Sequence, residues 1–290
     1  MRSLLFVPAS DPRKLDKGLA SGADVVLIDL EDSVALDAKT AARAVMSDFV
    51  RAHAGASDRP RLFVRINGFA TGLADVDLDA AVAAGADGIM LPKAGGGMDV
   101  TRLDAKIAVA EAVHGIADGR TRIIAIATET AHAVFQAGTY RGASHRLAGL
   151  AWGAEDLSAD LGAATARGAD GQFLDAFRLA RTLTLLGAVA AEVAPIDGVF
   201  TDFRNLDGLR AECEEAARDG FTAKMAIHPA QVAVINDAFT PSAEAIAEAE
   251  RIVEAFRAAG DPGVVGLDGV MLDRPHLMRS RRILARAGRG

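Results

Sequence analysis

The chain has 290 residues, 50% of them hydrophobic, a net charge of −7 and a single cysteine, Cys213. That length buries one large core, of which a barrel domain of roughly 250 residues would use nearly all. The acidic balance excludes broad attraction to nucleic acid or an anionic membrane, no apolar run nears the ~20 residues of a membrane helix, and one cysteine excludes a disulfide framework and fits a reducing cytoplasm.

The opening Arg2-Ser3-Leu4-Leu5-Phe6-Val7-Pro8 is a short apolar run followed at once by Asp11, Arg13, Lys14 and Asp16. That is not the build of a secretory signal. Short β-branched runs then alternate with alanine-rich amphipathic stretches, the pattern of βα units on a parallel sheet. They predict strands at 3–7, 24–29, 61–66, 88–91, 122–127, 147–152, 196–199 and 222–227. Two strands are announced by one phrase, Ala20-Ser21-Gly22-Ala23-Asp24-Val25-Val26 and Ala83-Ala84-Gly85-Ala86-Asp87-Gly88-Ile89. In each a glycine ends a helix before the next strand begins. Leu206, Leu209, Cys213, Ala216 and Ala217 share a helical face, which makes Cys213 a small packing residue.

Eight strand-then-helix alternations predict an α/β fold, a (βα)8 TIM barrel over 1–240. No Gly-x-Gly-x-x-Gly follows the first strand, against a dinucleotide fold. A helical C-terminal extension is expected over 241–290. It holds a helix at 243–259, a break at Asp261-Pro262-Gly263, a short hairpin or lid through Asp273, and a basic helix at 278–285. Such an extension packs on its own barrel or on a neighbouring subunit, and both arrangements stay open.

In such a barrel the C-terminal strand ends build the site. The second strand offers Asp29, Glu31 and Asp32, the third Arg65 and Asn67, and the fourth Lys93. The fifth offers Glu129, the sixth Glu155 and Asp156, the seventh Asp197 and Asp202, and the eighth His228. Burying a carboxylate without a partner costs on the order of several kcal/mol, so a cation or strong donors are expected at such an end. Arg65 and Lys93 are the internal partners. For Asp29 and Glu31, a structural ion pair and direct catalysis are both open.

Glu129 and Asp156 are expected to bind a metal ion. Carboxylates without a histidine or cysteine cluster are hard oxygen donors, suited to Mg2+, with Mn2+ as a substitute. His53, His114, His132, His145 and His276 lack a spacing partner and are expected at the surface or in packing. His228 is either a site residue or a loop-shaping one. Lys93 beside several acids stays charged, which weakens a Schiff-base mechanism.

Seven phrases carry a further signal. They are Arg2 to Pro8, Asp29-Leu30-Glu31-Asp32-Ser33-Val34, Val64-Arg65-Ile66-Asn67, Leu91-Pro92-Lys93, Glu129-Thr130-Ala131, Gly153-Ala154-Glu155-Asp156-Leu157 and Lys224-Met225-Ala226-Ile227-His228-Pro229. As a set, in order along nearly the whole chain, they resemble the citrate lyase beta subunits and the malyl-CoA or citramalyl-CoA lyases of the HpcH/HpaI aldolase superfamily. The resemblance implies a barrel, a homotrimer or hexamer, and magnesium held by Glu129 and Asp156. It implies that Arg65 holds the substrate or its developing oxyanion. Further substrate contacts are expected from Lys17, Glu31, Glu129, Gly153 and Ala154. Gly269-Val270-Met271-Leu272-Asp273 matches a motif whose aspartate reaches a neighbour's site in lyases acting on free CoA esters. Departures from the family pattern fall at Ala9, Asn205 and Val189, away from the metal pair.

The expected function is therefore a Mg-dependent carbon–carbon lyase. It would cleave a 3-hydroxyacyl-CoA thioester into an acyl-CoA and a 2-keto acid, or form one by Claisen condensation. The alternatives are a citrate lyase beta-type subunit acting on an acyl-carrier thioester, a malyl-CoA thioesterase, and a metal-dependent aldolase acting on free keto acids. Arg13, Lys14 and Lys17 with the long extension favour a nucleotide-bearing substrate over the last of these.

Overall fold

The computed structural model describes residues 1–289. Eight parallel strands close into a barrel in sequence order: β1 (Ser3–Pro8), β2 (Val25–Asp29), β3 (Arg61–Arg65), β4 (Gly88–Leu91), β5 (Arg122–Ile126), β6 (Leu147–Ala151), β7 (Ala194–Asp197) and β8 (Ala223–Ala226). Pairing of β1 with β8 completes the ring. Around it run α1 (Pro12–Leu19), α2 (Lys39–His53), α3 (Ala74–Ala84), α4 (Gly97–Val113), α5 (Ala131–Val134), α6 (Ala154–Leu161), α7 (Asp175–Ala190), α8 (Leu206–Asp219) and α9 (Pro229–Phe239). This is the (βα)8 barrel expected from the alternation of apolar runs.

Strand side chains alternate between faces. Leu4, Val25, Leu27, Phe63, Met90, Ile124, Ile126, Ala151, Ile196, Ala223 and Met225 fill the barrel interior as one cluster. Each fully buried large aliphatic or aromatic among them contributes ~1.5–3 kcal/mol. Gly88 makes room for this packing, since a Cβ there would lie 2.2 Å from the Phe63 ring. Residues in phase with the inner set at the C-terminal strand ends, Asp29 and Arg65, reach the mouth. Residues out of phase face the helices instead.

That phase corrects one expectation. Asp197 was expected at the mouth, but Ile196 points inward, so Asp197 points outward between strands and helices. There it accepts hydrogen bonds from Lys224 Nζ (2.7 Å), Trp152 Nε1 (2.8 Å) and Arg181 Nε (3.0 Å). Lys224, fully buried, also reaches Glu212 on α8 at 2.8 Å. Burial pushes the Asp197 carboxyl up, yet Lys224 and Arg181 overcome it and hold the pKa near about 2. The seventh strand also starts two residues earlier than the predicted 196. Pro195 lacks an N–H, but its carbonyl accepts from Thr222 N–H (3.0 Å), so the ladder continues through it.

The chain divides into two compact units, Met1–Asn236 and the part from Asp237 onward. The second unit contains α10 (Ala243–Ala258), an antiparallel hairpin of β9 (Val264–Leu267) and β10 (Val270–Asp273), and α11 (Arg274–Arg286). Asp268 and Gly269, with φ of 51° and 79°, form its two-residue turn. Phe256, Val265, Leu272 and Leu277 make a small core of its own. The final helix starts earlier than the predicted 278, because Asp273 caps it and Pro275 fits its first turn. Among the described residues no helix is long and apolar enough to cross a membrane.

Candidate active site

Asp29 ends β2 and Arg65 ends β3, in direct register. The Arg65 guanidinium grips Asp29 at two points, Nε to Oδ1 and Nη2 to Oδ2, both 2.7 Å. Its Nη1 lies 2.9 Å from Oε2 of Glu31, and its carbon sits 4.7 Å above the Phe6 ring. Burial would raise the Asp29 pKa, but Arg65 holds it below the usual carboxylate range. Asp29 also accepts the backbone N–H groups of Glu31 (2.9 Å) and Ser33 (3.2 Å). It is thus a fixed counter-ion that shapes the β2 loop and aims Arg65.

Glu31 lies between two cations. Beside Arg65, the ammonium of Lys93 contacts its Oε1. Lys93 further approaches Asp32 at 3.4 Å and Asp156 at 3.1 Å. Despite these cations, burial keeps the Glu31 pKa above its ordinary value. Lys39 completes the loop: its ammonium donates to the carbonyls of Leu30 (2.7 Å) and Glu31 (2.6 Å). Sequence reading missed Lys39, because a lysine at the start of an amphipathic helix reads as a solvated residue.

Glu129 follows β5 and is only 2% exposed. Its Oε2 accepts the backbone N–H of Lys93, whose φ of 52° turns that group inward. Burial pushes its pKa up to about 8, and the negative charges of Asp156 and Glu31 push the same way. Gly153 caps α6 beside it. A Cβ at Gly153 would lie 2.9 Å from Glu129 Cγ, so only glycine allows this approach. Ala154 and Asp156 begin α6, both half-buried, whereas Glu155 turns out to solvent. The two apolar runs that stop at carboxylates therefore deliver Glu129 and Asp156 to one cluster, and Glu155 stays outside it.

Other expected site residues lie elsewhere. Lys17 is exposed on α1, and no ion pair joins it to the mouth carboxylates among the described residues. Asp202 is exposed on the loop after β7. His228 stacks on Phe203 at 4.7 Å and its Nδ1 accepts the Ala230 N–H at 3.2 Å, which is the loop-shaping role. Asp273, in the second unit, is half-exposed, with its Oδ1 2.5 Å from His276 Nδ1. That contact holds its carboxyl below the usual range. His276 thus has the helix-capping partner that sequence spacing did not reveal.

The mouth therefore presents Arg65, Lys93 and at least four carboxyl groups, those of Asp29, Glu31, Glu129 and Asp156. Asp29 is neutralised by Arg65 and Glu31 by both cations. Among the described residues Glu129 has only a backbone donor, and Asp156 shares one ammonium. An oxygen-only donor pair with a charge deficit suits a hard divalent cation that keeps waters and accepts a chelating ligand.

A family model described as HpcH/HpaI aldolase/citrate lyase matches residues 2–229, and one described as a C–C bond lyase of the TIM-barrel fold matches 174–289. The citrate lyase subunit beta-like protein of Mycobacterium tuberculosis is 36% identical over 286 residues, 98% of this chain and 94% of that protein. A (3S)-malyl-CoA thioesterase of Cereibacter sphaeroides is 35% identical over 289 residues, 99% of this chain and 94% of that protein. Among solved structures, CitE of Mycobacterium tuberculosis in complex with magnesium, acetoacetate and coenzyme A superposes with a TM-score of 0.78 at 35% identity. That superposition covers 99% of this chain and 98% of the other.

Proposed function

Because the chain belongs to the HpcH/HpaI aldolase/citrate lyase family, we propose that it is a magnesium-dependent carbon–carbon lyase. Its substrate is a 3-hydroxyacyl-CoA thioester such as malyl-CoA or citramalyl-CoA, its products an acyl-CoA and a 2-keto acid, and the reverse direction is a Claisen condensation. The observation that carries this reading is the cluster of Arg65, Glu31, Lys93, Glu129 and Asp156 at one barrel mouth, in which Glu129 is buried with its pKa pushed up to about 8. Related structures that hold magnesium with acetoacetate and coenzyme A, or with oxaloacetate, support it.

Glu129 and Asp156 are the residues that would hold the metal, as hard oxygen donors. When bound, magnesium supplies Lewis-acid polarisation of the substrate hydroxyl and carboxylate. Lys93 lies 3.1 Å from Asp156 Oδ1, so its ammonium would compete with a bound cation for that oxygen. Arg65 has five N–H donors, of which Asp29 takes two and Glu31 faces a third. The others meet the thioester oxygen as enolate charge develops, a contact worth ~3–4 kcal/mol for one such donor. Asp29, anchored by two backbone N–H groups, keeps the guanidinium from rotating away. In cleavage the bond between the second and third acyl carbons breaks. The hydroxyl gives its proton to solvent as its oxygen becomes that of the 2-keto acid, and the bonding pair passes to the acyl-CoA as the enolate. The enolate carbon then takes up one proton. Asp273, delivered from a neighbouring chain of a homotrimer or hexamer, exchanges the proton at that carbon. Leaving water for such a site raises a carboxyl pKa, which suits it to that exchange.

Incubation with magnesium and a panel of CoA thioesters, with products read by mass, tests the reading. An acyl-CoA plus a 2-keto acid is the expected result. Free CoA plus a hydroxy acid indicates hydrolysis, a second reading favoured by the 35% identity to (3S)-malyl-CoA thioesterases. Turnover of acyl-carrier thioesters alone, or of free keto acids alone, overturns the CoA assignment.

A further inference from the structure

The opposite end of the barrel holds arginines of two kinds. Arg2, Arg59 and Arg146 are paired: Arg2 with Asp24 at 2.8 Å, Arg59 with Asp87 at 2.5 Å, and Arg146 with Asp104 at 2.6 Å and Glu111 at 2.8 Å. Such pairs stabilise the N-terminal face, where a barrel ordinarily does no chemistry.

Arg61 and Arg122 differ. They open β3 and β5 in phase with inward-facing Phe63 and Ile124, so both line the N-terminal mouth near the barrel axis. Among the described residues neither forms an ion pair with a carboxylate. Between the two strands β4 opens with Gly88, which pairs with Phe63 on one side and Arg122 on the other, and the Phe63 ring fills the space where its side chain would be. Arg120 lines the same cavity and, among the described residues, donates only a long bond, 3.4 Å, to the Gly85 carbonyl.

Two acids share the cavity. Asp87 is occupied, by Arg59 at 2.5 and 3.2 Å and by the Leu62 N–H at 2.7 Å. Glu192 is exposed, on a backbone with φ of 59°. Three guanidiniums, those of Arg61 and Arg120 exposed and that of Arg122 half-buried, thus line an open cleft of about 540 Å³, a size within the range of small-molecule sites. With them stands one carboxylate, Glu192, that forms no ion pair among the described residues. In a chain of net charge −7 this is a local excess of positive charge. Unpaired arginines repel one another and present forked N–H donors that match tetrahedral oxyanions.

We propose that this N-terminal mouth is a second binding site, for a multivalent oxyanion of the phosphate or pyrophosphate class. Arg61 and Arg122 supply the forked contacts and Arg120 closes the rim. The site is separate from the reacting end: Arg61 and Arg65 bound the same strand, roughly 13 Å apart at the usual rise per residue.

Calorimetric titration of the full chain with inorganic phosphate and pyrophosphate, without magnesium, is the test. Saturable binding is expected, tighter for pyrophosphate, and weakened at least ~10-fold in Arg61→Gln and in Arg122→Gln. Arg122→Lys, which keeps the charge and the fold but loses the fork, should bind more weakly than the parent and serves if the glutamine variants do not fold. Heat without saturation up to about 10 mM ligand, or affinity unchanged in all three variants, overturns the proposal. The readout is binding, so it stands or falls apart from the lyase reading.

Discussion

Lys93 donates its backbone N–H to Oε2 of Glu129 while adopting a left-handed conformation, φ 52°. A non-glycine residue there costs on the order of 1 kcal/mol, which the surrounding contacts offset. The same residue sends its ammonium to Glu31 and Asp156. Backbone and side chain therefore do separable things, and Lys93→Gly separates them. The variant keeps the N–H and relaxes the backbone while deleting the ammonium. Its magnesium affinity should rise at least ~10-fold, since a positive charge leaves a site of low effective dielectric. Isothermal titration checks this, and an affinity equal to or below the parent's would show that Lys93 does not compete for Asp156.

The proposed metal pair has its own test. Glu129→Gln mimics the protonated carboxyl that burial already favours, so the fold should survive and magnesium binding should not. Asp156→Asn should behave alike. Both variants should lose activity, and a chelator should do the same to the parent, with magnesium or manganese restoring it. Full turnover after exhaustive chelation would remove the metal from the reaction.

Arg65→Lys keeps one charge but cannot span both oxygens of Asp29 and still face Glu31. Turnover should fall at least ~10²-fold, the size of losing one oxyanion donor. A loss of less than about threefold would reduce Arg65 to a counter-ion for Asp29.

Asp197 should matter for stability and not for chemistry. Asp197→Asn strips a buried lysine of a carboxylate partner and should cost about 3 kcal/mol in urea unfolding, with kcat of the folded fraction little changed. Its folded pKa, about 2, lies below the ordinary 3.8, so its contribution is present above pH 3.8 and is lost as pH falls through 2. The variant's unfolding free energy should accordingly lose part of the parent's acid dependence in that window. An unchanged urea midpoint with collapsed kcat would return Asp197 to the active site.

Asp273 is tested by mixing. Asp273→Ala and Glu129→Ala should each be nearly inactive alone. Co-assembled as verified mixed oligomers they should recover activity, because some sites then draw Glu129 and Asp273 from different chains. Lack of recovery would mean that Asp273 serves its own barrel, and a fully active Asp273→Ala homo-oligomer would take it out of the mechanism.

The barrel was legible because its signals are local. Eight apolar runs, each short and followed by a helical stripe, leave a parallel closed sheet as the arrangement that buries them all. Asp29, Arg65, Lys93, Glu129 and Asp156 stood out for the same reason, as charges placed where buried strands stop. What the sequence by itself did not determine was where those charges go. Asp197 ends a strand as Asp29 does, but one faces the helices and the other the mouth, a difference of strand phase set by the closed barrel's register. Glu155 and Asp156 are neighbours in the chain, and the turn of α6 exposes one and brings the other to Lys93. Lys39 carries no motif and Lys224 merely opens one, and only packing shows that each ammonium is buried against specific oxygens. Local pattern fixes which segments are buried, while the partner of a buried charge depends on residues brought together from tens of positions away, and that only the tertiary structure decides.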